Sequence, residues 1–158
     1  MSSQRCEKCL IDNKFHSFIK LGIVGSSNIF YTAPAKVKDI NKDGTKFANM
    51  KLHIQNDTEG KPWIWLVDCI NMKMSHYTEM SFNIQMMNLL SHEPTLKEVW
   101  IMRPNAWVKT TTSLLIKVSK INILNKLTYF EGSNIELFNK LQTSGVDINT
   151  LKWLLEQG

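Results

Sequence analysis

Lys61-Pro62-Trp63-Ile64-Trp65-Leu66-Val67-Asp68-Cys69-Ile70 is the stretch on which the fold turns. Its apolar run is nearly continuous, β-branched or aromatic, and it closes on a carboxylate. Such a run predicts a strand covered on both faces, because a half-exposed strand would alternate with polar residues. Segments of helical character follow it, so the expected class is α/β: a single, mostly parallel sheet flanked by helices.

The chain of 158 residues is sized for one domain, and its 43% hydrophobic content is ordinary for a globular protein. Residues 1–17 are polar and are expected to form a flexible tail ahead of a domain spanning 18–158. No apolar run approaches the roughly 18–20 residues of a membrane span, and Met1–Cys9 carries no hydrophobic core of a signal peptide. A soluble, cytoplasmic protein is therefore expected. Three cysteines fit a reducing compartment. Cys6-x-x-Cys9 has ligand-like spacing but no convincing second half, since His16, His53 and Cys69 are poorly placed, so no metal or other cofactor is expected.

Charge is uneven along the chain. Between residues 97 and 126 stand Lys97, Arg103, Lys109, Lys117, Lys120 and Lys126 against Glu98 alone. Such a segment is attracted to phosphate, whether of a lipid headgroup, an anionic membrane or a nucleic acid, although a merely solvated lysine face has the same composition.

Ahead of the central run, residues 18–24 and 29–33 read as two strands around a Gly25-Ser26-Ser27-Asn28 turn. A helix is expected over 46–55. After the central run, residues 75–91 read as a helix with two opposed apolar faces: Tyr77, Met80, Ile84 and Met87 on one, Phe82, Met86, Leu89 and Leu90 on the other. Two such faces predict that it is covered twice, by the sheet and by a second helix or an apolar ligand. Residues 96–102 form a second interior strand. Residues 106–127 read as one long helix with Leu114, Leu115, Val118 and Ile121 facing the core and Lys109, Lys117 and Lys120 opposite, where Ile116 and Ile123 also fall. Residues 127–130 are a third interior strand, followed by helices over 134–142, capped by Ser133, and 148–157, capped by Asp147.

Enzyme signatures are missing. No phosphate-binding glycine loop, nucleophile elbow or paired metal-binding histidines occur. Asp68 lies where α/β enzymes place reactive groups, with His76 and His92 conceivable neighbours, but without a nucleophile in context it reads as a strand-end or capping carboxylate. Trp63, Trp65 and Trp100 lie in strands expected to be buried, which removes them as stacking platforms for nucleic acid.

The order of elements and three local motifs resemble the Sec14-like, or CRAL-TRIO, lipid-binding domain. Gly60-Lys61-Pro62-Trp63-Ile64-Trp65-Leu66-Val67-Asp68 is similar to its central strand. Residues 96–110, ending Arg103-Pro104-Asn105-Ala106-Trp107-Val108-Lys109-Thr110, resemble its later strand and the turn that opens the gate helix. Asn125-Lys126-Leu127-Thr128-Tyr129-Phe130 is similar to a strand entry of that family. The Pro104-x-x-Trp107-Val108-Lys109-Thr110 stretch also resembles the divergent BCH and RhoGAP-associated branch.

The resemblance implies a non-enzymatic protein that binds, and transfers, one phospholipid or other hydrophobic ligand between sheet and gate helix, with peripheral membrane association. The pocket it implies is lined by Trp65, Val67, Tyr77, Met80, Ile84, Met87, Trp100, Met102, Leu114, Leu115, Val118 and Ile121. Lys109, Lys117, Lys120 and Lys126 would face a headgroup or an anionic membrane surface. The divergent branch implies instead a scaffold for a protein partner, with a reduced pocket.

Overall fold

A glycine opens the sheet. Gly25 takes φ 59° in the two-residue turn between β1 (Ile19–Val24) and β2 (Ser27–Thr32), a conformation that has no steric penalty without a Cβ. The turn pairs the two strands antiparallel, with an irregular register between Lys20 and Gly22. The computed structural model describes residues 18–36, 45–73, 80–119 and 123–158. The chain continues through α1 (Thr45–Asp57), β3 (Trp63–Asp68), α2 (Met80–Ser91), β4 (Leu96–Met102), α3 (Ala106–Ser119), β5 (Leu127–Phe130), α4 (Asn134–Thr143) and α5 (Ile148–Glu156).

The five strands lie in chain order, and every pair after the first hairpin is parallel. The protein is therefore α/β with a mostly parallel sheet. Adding strands always to the same side, with crossovers of one hand, places every crossover helix on the same face. The packing agrees. Phe30, Trp63, Trp65, Val99 and Ile101 of the sheet are buried with Met50 and Ile54 of α1, Met86 and Leu90 of α2, and Val108 and Ile116 of α3. Ile29, Tyr31, Ile64, Leu66, Trp100 and Met102 point the other way, against Leu137 and Leu141 of α4 and Leu151 and Leu154 of α5. Trp63 and Ile64 are both buried, which accounts for the lack of alternation in the central run.

Three expectations are corrected. The 106–127 segment is not one continuous helix: α3 ends at Ser119, and Leu124–Lys126 form a separate 3-10 turn. Residues 127–130 form the edge strand rather than an interior one, since β5 has a single neighbour among the described residues. Finally, α3 is rotated from the expected setting. Leu114 is 54% exposed, whereas Ile116 at 8% and Ile123 at 2% are buried. The inward face of α3 runs through Val108, Thr112, Leu115 and Ile116, and Lys117 follows on the outside. The lysines had pulled the expected polar face one residue too far around the wheel.

Both last helices start where their caps predict. Ser133 Oγ accepts from the Glu136 amide at 3.3 Å. Asp147 Oδ2 accepts from the amides of Asn149 and Thr150, both at 3.1 Å, while Oδ1 accepts from Thr150 Oγ1 at 2.6 Å. Those bonds, the Thr150 hydroxyl first, hold the Asp147 carboxyl below its ordinary value of 3.8. A group with a lowered folded pKa contributes stability above its unfolded pKa and loses it as pH falls through the folded one. Asp147→Ala is expected to cost about 1 kcal/mol in equilibrium urea denaturation at neutral pH. The gap between the two proteins should narrow in acid; a gap independent of pH would contradict the cap's ionic character.

Candidate functional site

Two places combine buried chemistry with a position the fold uses: the apolar floor under α2 and α3, and a polar knot at the carboxyl ends of the parallel strands.

Strand register builds the floor. Residues at alternate positions share a face, so Phe30, Trp65, Val99 and Leu127 form one transverse row. Thr32, Val67, Ile101 and Tyr129 form the next row toward the carboxyl ends. The amino end of the face is sealed, Trp63 being 0% and Leu96 1% exposed. Cover is incomplete in places: Val67, Tyr129 and Trp107 toward the carboxyl ends, and Leu89 and Leu127 nearer the amino end, pack against the cluster but are only partly buried, while Thr32 and Ile101 in the row of Val67 are buried. Methionines contribute to this cluster. Met72 and Met86 are buried in the cluster and Met87 packs against it. Their unbranched thioethers adapt to irregular neighbours.

The sheet divides the residues expected to line one pocket. Trp65 and Val67 lie on the floor, and Met87 packs against the same cluster. Trp100 and Met102 lie on the opposite face, in the core under α4 and α5. Leu115 is buried on α3, but Leu114 points to solvent. Tyr77 and Ile121 fall outside the described residues, as do Cys6, Cys9, His16 and His76; so do the side chains of Met80, Ile84 and Val118. Period-two alternation within residues 96–102 places Trp100 and Met102 together and opposite Val99 and Ile101, and the pairing of Val67 with Ile101 then puts Val67 on the other face from them. Ile101 and Tyr129, absent from the expected lining, are brought onto the floor by the register, and Trp107 of α3 packs against the same cluster.

The lysines are spread over the length of α3 and beyond. Lys109, in its first turn, pairs with Glu131 Oε1 at 2.7 Å and stands 5.4 Å from the centre of the Tyr129 ring. Lys117 is exposed near the helix end, and Lys120 is outside the described residues. Lys126 lies at the opposite end of the sheet, where its Nζ donates to the Glu93 carbonyl at 3.3 Å. The Glu93 carboxylate accepts from Thr95 Oγ1 at 2.7 Å, and Thr95 Oγ1 accepts from Trp63 Nε1 at 3.1 Å. Lys109 and Lys126 therefore sit at opposite ends of the parallel strands.

The polar knot is centred on Asp68, whose side chain is fully buried. Its Oδ2 accepts from the Tyr31 hydroxyl at 2.7 Å and from Arg103 Nη1 at 3.1 Å, and its Oδ1 accepts from the Ile70 amide at 3.1 Å. Arg103 Nη2 donates to the Leu154 carbonyl at 2.7 Å, tying α5 to β3 and β4. Arg103 also holds φ 55°, a left-handed conformation that costs a non-glycine residue about 1–2 kcal/mol. Burial pushes the Asp68 carboxyl above its ordinary value, with the Tyr31 bond and the Arg103 charge opposing. Burial likewise raises the Tyr31 hydroxyl and pushes the Cys69 thiol up to about 12, so neither supplies a nucleophile near neutral pH. Asp68 is thus hydrogen-bonded, among the described residues, to the Tyr31 hydroxyl, the Arg103 guanidinium and the Ile70 amide. Among the described residues, no three His, Cys, Asp or Glu side chains converge as a metal site, and no helix is long and apolar enough to cross a membrane.

Arg103→Met leaves the buried Asp68 carboxylate without its cation and is expected to cost about 3–5 kcal/mol near neutral pH. The folded pKa of Asp68 is already raised, and losing Arg103 raises it further. Stability is therefore regained as pH falls below that value toward the ordinary 3.8. Urea denaturation of both proteins at pH 7 and pH 5 checks this, and an undiminished gap at pH 5 would contradict it. No protein-family model matches the chain, and no curated protein does so either.

Proposed function

We propose that the protein binds a single hydrophobic guest of the lipid class, without covalent chemistry, on the helix-covered face of the sheet beneath α2 and α3. The observation that supports this is the incomplete cover of that face: Trp63 and Leu96 are fully buried, while Val67, Tyr129 and Trp107 toward the carboxyl ends, and Leu89 and Leu127 elsewhere on it, remain partly open to solvent. Incompletely covered apolar side chains gain free energy when a guest removes them from water, roughly 25 cal/mol for each Å² covered. Methionines 72, 86 and 87 give the surrounding wall the adaptability that a chain-like guest needs. The other face, with Trp100, Met102, Leu137 and Leu151 at or near zero exposure, supplies the rigid backing.

Exchange of the guest takes place at membranes in this proposal, with the outer stripe of α3 as the docking surface. Thr110, Ser113, Leu114 and Lys117 are all exposed along it, joining an apolar side chain to a cation.

Native mass spectrometry of protein purified from cells tests the binding. Wild type should carry an added lipid mass, and Val67→Trp, which fills the half-covered row, should lose it while keeping its circular dichroism spectrum. Bare wild-type protein, or protein bound in fixed ratio to another polypeptide, would overturn the proposal in favour of a scaffold. For docking, Lys117→Glu combined with Lys120→Glu should reduce co-sedimentation with phosphatidylserine vesicles several-fold. Unchanged sedimentation would remove α3 as the contact.

A further inference from the structure

We draw no further inference here: the strongest candidate, the acidic Asp39-x-Asn41-x-Asp43-Gly44 run leading into α1, whose side-chain oxygens recur at the spacing of a calcium loop, lies outside the described residues, and no second observation points to a ligand there.

Discussion

The placement of every helix follows from one constraint: parallel strands added always to the same side, through crossovers of one hand, keep their connecting helices together. Three crossovers put α1, α2 and α3 over one face. Only after β5, with no further parallel strand to reach, does the chain pass to the other face, where α4 and α5 close the second core. The face under α4 and α5 is covered by two short capped helices, with Leu21, Val24, Phe138, Trp153 and Leu155 partly buried around its core. The face under α1, α2 and α3 is covered by the crossover helices, with Val67, Met87, Leu89, Trp107, Leu127 and Tyr129 partly buried around its core.

Holding the two faces in register falls to the Asp68 knot. A buried carboxylate loses its hydration, and the Tyr31 hydroxyl, the Arg103 guanidinium, the Ile70 amide and the Lys36 charge offset that loss. Through Arg103 the same carboxylate reaches the Leu154 carbonyl and fastens α5 across the ends of β3 and β4. The knot thus ties the carboxyl ends of β3 and β4 to α5.

Much of the architecture was legible from residues alone. The central strand, the order of elements, the hairpin turn and the caps at Ser133 and Asp147 are local features, written in apolar runs, glycine and side-chain oxygens. What was not legible is relational. The setting of α3 was misjudged because alternating lysine and isoleucine residues point to two faces with nearly equal weight, and only packing decides between Leu114 and Ile116. The expected pocket mixed Val67 with Trp100 and Met102 because all three are large, apolar and interior. Strand register, which a single chain does not display, sends them to opposite faces. Arg103 read as a strand terminator, and nothing local revealed that Asp68, Tyr31 and Leu154 converge on it. In the same way, the pairing of Lys109 with Glu131 joins residues brought together by the parallel neighbours β4 and β5.

The central claim is that a hydrophobic guest sits on the α2 and α3 side of the sheet and nowhere else. Methyl-labelled methionine gives the most direct measurement, because Met72, Met86 and Met87 report on that side and Met102 on the other. Comparing methyl NMR spectra of the protein as purified and after extraction of bound lipid should show shifts confined to the first three, with Met102 unmoved. Identical spectra, or a change at Met102 as large as those at the others, would contradict it.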